Sequence, residues 1–138
     1  MESRGRFLAF RLMPGTDLIE GLQAVRAEAG ARAMAIVTCV GSLTRCRLRH
    51  ADRDAGTAYD GRFEIVSLVG TVDPQGQHLH LSLADGDGRV RGGHLLPGSA
   101  IHTTAEVVAV SLEDVAFARE GCAVSGYREL VVRGVTSR

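Results

Sequence analysis

Chemistry in this chain points first to its histidines. Of five, His78, His80 and His94 stand at a telling spacing. In a strand, residues i and i+2 point to the same face, about 6.6–7 Å apart. His78, His80 and Ser82 then share one face, while Leu79, Leu81 and Leu83 pack a core from the other. The Asp85-Gly86-Asp87-Gly88 run is a hairpin signal, which puts His94 on the partner strand. Gly92-Gly93 just before it lets backbone or ligand approach closely. Three neutral imidazoles with one position left open is the pattern of catalytic zinc, whereas structural zinc is closed. The cofactor expected is therefore a divalent metal, zinc by ligand type. The same residues also fit surface or hydrogen-bonded histidines that never meet a metal.

Other groups are less constrained. Glu64, in Gly61-Arg62-Phe63-Glu64-Ile65, is a candidate general base or hydrogen-bond acceptor near the metal. A cross-strand ion pair, or one with Arg62, explains it equally well. Arg62 and Arg91 are candidates to clamp a carboxylate. His50 and His102 carry no comparable spacing, and His102 reads as solvent-facing. Arg45, Arg47 and Arg49 form the one basic stripe. It suits phosphates, a subunit interface or a solvated face.

Several motifs fail on inspection. Arg4-Gly5-Arg6 resembles the minor-groove AT-hook core, but Phe7 stands where that core needs proline. Asp85-x-Asp87-Gly88 lacks the glutamate of a calcium loop, since Leu96 is at position twelve. Gly41-Ser42-Leu43 has no nucleophile-elbow frame. Cys39, Cys46 and Cys122 are odd in number and widely spaced. They read as free thiols in a reducing compartment.

The elements that must position these groups are mostly strands. Residues 6–12 alternate and predict a first strand, broken by Pro14-Gly15. Asp17-Leu-Ile-Glu20 offers an N-cap with an acid three residues on. Leu18, Ile19, Leu22, Val25 and Ala29 follow at helical spacing. Gly30 stops a helix of about four turns. Residues 33–40 are a nearly continuous apolar run, expected to be buried on both faces. Gly41-Ser42 is expected to interrupt it before a strand over 43–50. Residues 51–60 read as a loop. Strands are expected over 62–70, 77–84, 89–96, 100–111 and 126–133, with a turn at Asp73-Pro74-Gln75-Gly76. One early helix and many hairpin-linked strands predict an α+β domain with a largely antiparallel sheet.

Composition bounds the rest. The 138 residues are 45% hydrophobic and 23% charged, which is ordinary for one globular domain of 1–138. Sixteen basic and sixteen acidic residues cancel, which argues against strong nonspecific binding to nucleic acid or membrane. All the basic residues are arginine. The absence of lysine excludes a Schiff-base lysine and a P-loop lysine. No apolar run approaches the ~20 residues of a membrane span, and the N-terminus is not a signal segment, so a cytoplasmic protein is expected.

Blocks of sequence then suggest a family. They are Arg11-Leu12-Met13-Pro14-Gly15-Thr16-Asp17-Leu18, Val40-Gly41-Ser42-Leu43 and Gly61-Arg62-Phe63-Glu64-Ile65-Val66-Ser67-Leu68-Val69-Gly70. They continue with His78-Leu79-His80-Leu81-Ser82-Leu83, Gly92-Gly93-His94-Leu95 and Ala105-Glu106-Val107-Val108. In this order they resemble the plants-and-prokaryotes-conserved (PPC) domain over nearly the whole chain. The resemblance implies an antiparallel sheet with a packed helix, a homotrimer, and a metal site on His78, His80 and His94. It also implies similarity to the acetolactate decarboxylase fold. In plants the domain follows AT-hooks in nuclear proteins, where the hooks touch DNA and the domain mediates association. Stand-alone prokaryotic members carry a DNA-binding label, although this chain lacks the hook.

Two functions are therefore expected to compete. One is a trimeric DNA-binding or regulatory interaction module, with nucleic acid or protein as partner. The other is a zinc-dependent lyase or hydrolase acting on a small carboxylate or carbonyl compound, with Glu64 moving a proton.

Overall fold

A computed structural model describes residues 1–135. The elements, in chain order, are β1 (Gly5–Leu12), α1 (Leu18–Glu28), β2 (Met34–Arg49), β3 (Thr57–Asp73), β4 (Gly76–Ala84), β5 (Val90–Leu95), β6 (Ala100–Leu112), β7 (Val115–Gly121) and β8 (Arg128–Gly134). The strands pair antiparallel, and α1 is the single helix among the described residues. The domain is thus α+β, a largely antiparallel twisted sheet with one helix packed on it.

The helix begins where a carboxylate can satisfy free amides. Asp17 accepts from the backbone N–H of Ile19 at 2.9 Å and of Glu20 at 3.1 Å. Its other oxygen accepts from the N–H groups of Gly98 and Ser99, each at 2.8 Å. One side chain therefore caps α1 and ties it to the turn before β6. Leu18, Ile19 and Leu22 are buried in the core, and Gly30 ends the helix at a positive φ of 64°. At 11 residues, α1 is three turns long, a turn shorter than expected.

The main sheet runs β1-β6-β2-β3-β4-β5, and β5 returns to pair with the end of β2. Strands β2 to β5 therefore close on themselves. The leucines of β4 set their register. Leu79, Leu81 and Leu83 are fully buried, each worth roughly 2 kcal/mol. A slip of one residue would expose all three and bury His78 and His80.

Four expectations need correction. Residues 34–49 form one strand: the chain passes Gly41-Ser42 by register shifts rather than a break. The run 33–40 is not buried on both faces, since Val37 and Val40 are 52% and 54% exposed. The segment read as a loop to residue 60 ends earlier, because β3 starts at Thr57 and pairs with Leu48. Strand β7 has no counterpart among the expected elements. Its Ala-Arg-Glu content suits a helix as well as a strand, and the period-two signal of Val115, Phe117 and Arg119 is short. With β8 it forms a separate two-stranded sheet.

Candidate metal centre

A single cross-strand row builds the site. Val69 on β3 is in register with His80 on β4, His80 with His94 on β5, and His94 with Arg49 on β2. Register partners in antiparallel strands share a face. The alternating burial of β4 puts His78 and His80 on the face away from the core. His78, two residues before His80, joins the row from the side. The ring centroid of His78 lies 5.1 Å from those of both His80 and His94, and the centroids of His80 and His94 are 5.7 Å apart.

Backbone approach makes this convergence possible. At Gly70 (φ +134°) a Cβ would stand 2.0 Å from the His78 carbonyl oxygen. At Gly93 it would stand 2.7 Å from the Arg49 carbonyl oxygen. Both glycines sit where a neighbouring strand crosses closely, one beside each end of the cluster.

The donor set suits a divalent ion. One ring nitrogen from each histidine lies within 4.8 Å of the other two. Bonds of about 2.0–2.1 Å at tetrahedral angles put ligand nitrogens about 3.3 Å apart. The Nε2 atoms of His78 and His80 are separated by 3.3 Å. His94 Nδ1 is buried and has no hydrogen-bond partner among the described residues. A buried orphan of this kind calls for a missing partner, an ion or a water. Burial is the first cause lowering the basicity of His78 and of His94. Positive neighbours add to it, His80 and Arg119 at His78, His78 and Arg49 at His94. A neutral imidazole keeps its lone pair for a metal. Three such rings leave a coordination position open.

A groove of about 380 Å³ borders the cluster, lined by Arg49, Gln77, His78, His94, Arg128 and Glu129 among others. On the other side of the row, His50 donates from Nδ1 to the Gly92 carbonyl (3.0 Å), and its Nε2 faces the Tyr59 hydroxyl at 2.7 Å. His50 is thus a strut beside the site.

Glu64 and Arg62 lie elsewhere. They line a separate concavity with Ser42, Asp85, His102 and Thr103. Glu64 is in register with Ala84, four residues along β4 from His80, roughly 13 Å at strand spacing. His102 is half-buried in that same concavity. Arg91 is engaged by Asp85 at 3.0 Å and lies 4.8 Å from the Tyr59 ring centroid. Of the basic stripe, Arg45 sits 3.6 Å from Asp60, while Arg49 reaches the histidines. Sequence spacing does not connect Arg49 to His94, because their pairing depends on β5 closing onto β2. Cys39 and Cys46 are buried free thiols, both pushed up to about 11 by desolvation. They are structural rather than reactive.

Fold and site together define an α+β domain that carries an outward three-imidazole cluster on a closed set of strands. The chain belongs to the Plants and Prokaryotes Conserved (PCC) domain family, the PPC domain of the sequence resemblance, whose model matches residues 1–113. It is 39% identical over 130 residues to the bifunctional protein GlmU of a Synechococcus strain, covering 94% of this chain and 21% of that protein. It is 29% identical over 103 residues to AT-hook motif nuclear-localized protein 8 of Arabidopsis thaliana, covering 68% of this chain and 26% of that one. The chain therefore spans about a fifth to a quarter of the length of these curated relatives. Among solved structures, a hypothetical protein from Salmonella is 42% identical with a TM-score of 0.95, covering 97% of both chains. A metal-containing protein from Archaeoglobus fulgidus is 25% identical with a TM-score of 0.80, covering 94% of this chain and 95% of that one. No helix among the described residues is long and apolar enough to cross a membrane.

Proposed function

We propose that this chain is a regulatory interaction module that associates with DNA-bound complexes as a homotrimer and holds a divalent metal, zinc by ligand type, on His78, His80 and His94. The convergence of the three rings carries the metal part, and the unpartnered ring nitrogen of His94 accompanies it. The metal-containing relative from Archaeoglobus fulgidus supports it. The module part is supported by related stretches occurring within two longer proteins of unlike name, one of them an AT-hook protein. Residues 1–138 act as one domain. The buried Asp73–Arg119 pair and the small core of Ala33, Val115 and Phe117 tie β7 and β8 to the rest. Cytoplasmic residence suits its free cysteines.

Assembly is supported by an apolar outer sheet face. Val37, Val40, Val66 and Val69 on β2 and β3 are each more than half exposed, as is Phe7 on β1. A solvated antiparallel face is ordinarily polar. Multi-angle light scattering is expected to give three times the 14.7 kDa chain mass. Fluorescence anisotropy on duplex DNA at low salt tests the partner. With no net charge, few phosphates are neutralised, so direct binding is expected to be weak with a shallow salt slope. Absence of any association at low salt, alone or with a DNA-bound partner, refutes the DNA reading.

The groove beside the histidines favours a second reading, a zinc-dependent lyase or hydrolase for a small carboxylate or carbonyl substrate. A bound metal there would polarise a carbonyl or activate water. In this reading Arg49 clamps the substrate at the histidines, while Arg62 and Glu64 serve the concavity they line with His102. Turnover of small carbonyl acids or esters, lost on His80→Ala, is the outcome that selects it.

A further inference from the structure

The family model matches residues 1–113, and residues beyond that span wall the groove beside the histidines. Arg119 on β7, with Tyr127 just before β8 and Arg128 and Glu129 at its start, forms one side; Arg49 and Gln77 form the other. The wall is anchored rather than loose. Arg119 Nε donates to Asp73 at 2.8 Å, its other arm donates to Thr71 at 2.9 Å, and both Asp73 and Arg119 are buried. Arg128 donates to the Arg119 carbonyl oxygen at 2.6 Å, which fixes its guanidinium against the groove. Arg49 has no ion pair or hydrogen bond to its guanidinium among the described residues. Gln77 already accepts from Gln23 through Oε1 at 3.2 Å.

Charge narrows the ligand. Asp73 neutralises Arg119, and Glu129 offsets one of the remaining two arginines, leaving one cation in excess. At the arginine end that suits one carboxylate better than a phosphate dianion, which Glu129 repels, and a divalent ion on the histidines would balance a second carboxylate. A guanidinium pairs a carboxylate through two parallel N–H···O bonds. The groove volume, about 380 Å³, is that of a small-molecule site.

We infer that this groove is a recognition site for a small carboxylate, held by Arg49 and Arg128, with the far end of the ligand directed at the histidine cluster. The β7–β8 hairpin, beyond the span of the family model, supplies half of it and so contributes to specificity. The inference rests on the histidines being metal ligands, and its test separates the two.

The full chain is loaded with cobalt(II) and titrated with malonate, whose second carboxylate can reach the metal, while the visible cobalt bands are followed. Arg49→Gln and Arg128→Gln are each expected to weaken malonate at least about tenfold, with cobalt per chain unchanged. Glu129→Gln is expected to tighten it. Arg49→Gln breaks no internal bond, so an unchanged melting temperature confirms that its effect is local. Equal malonate affinity in wild type and Arg49→Gln overturns the inference even when cobalt binds. Inorganic phosphate binding more tightly than malonate overturns the carboxylate assignment. If no cobalt binds, the metal reading fails alone, and calorimetry of malonate on the metal-free chain decides the groove. Arginine-dependent heat keeps it; none removes it.

Discussion

Among the three histidines, His94 alone has a ring nitrogen that is buried and unpartnered. Its cost to the metal-free fold is of the order of 1–3 kcal/mol, the penalty of an unsatisfied buried polar atom. His94→Leu removes both the penalty and a ligand. In chelator, the variant should melt at least as high as the wild type. With cobalt or zinc present, it should melt lower and carry little metal. Inductively coupled plasma analysis beside thermal melts checks both signs. A second residue-scale prediction concerns Asp114, which the Arg4 guanidinium and backbone N–H hold down to about 2. A carboxyl depressed in the fold stabilises above its unfolded value near 3.9 and loses that contribution as pH falls towards 2. The stability gap between wild type and Asp114→Asn should therefore be full at pH 6 and close between pH 4 and 2. A gap unchanged at pH 2, by urea unfolding, would remove this account.

At the scale of elements, two joints hold the architecture. Asp17 serves α1 and the turn before β6 with four backbone N–H groups. Losing an N-cap costs about 1 kcal/mol, and two further charge-assisted bonds raise the expected loss for Asp17→Ala to about 2–4 kcal/mol. Chemical denaturation measures it directly. The second joint is Asp73–Arg119, with side chains 0% and 8% exposed. Arg119→Met leaves a buried carboxylate uncompensated and should cost about 3–5 kcal/mol. Asp73→Asn in that background should recover part of it. Hydrogen exchange should show amides of 115–134 opening before those of β4, because the pair is the hairpin's main tie. Both joints link residues far apart in the chain. The N-cap of Asp17 was legible from its place before an apolar-periodic run, but its grip on Gly98 and Ser99 was not.

For the whole molecule, the valine face and the metal row adjoin, since Val69 is in register with His80. Val40→Asp with Val66→Asp places charges on the proposed trimer contact without touching the core side of the sheet. Light scattering should find monomers that keep native circular dichroism. Chelator added to the metal-loaded wild type should lower its melting temperature, because it removes the roughly 3 kcal/mol of stability that a ligand at a hundred times its Kd contributes. An unchanged melt would argue that no metal is held.

What could be read from the residues in order was whatever local geometry governs. Alternation in β4 put leucines inward and histidines outward, because side chains on a strand point to opposite faces. The Asp-Gly-Asp-Gly turn brought His94 back beside His80, because a tight hairpin fixes register over short range. The cap, the helix and the α+β class came from similarly local rules. Which distant strands met was settled by the packed sheet. Arg49 reached His94 because β2 is one long strand, shifted in register, onto which β5 closes. The β7–β8 hairpin came to wall the groove because a buried arginine found Asp73 some 46 residues away. Such pairings depend on how the whole sheet coils and packs, and no spacing within a segment encodes them.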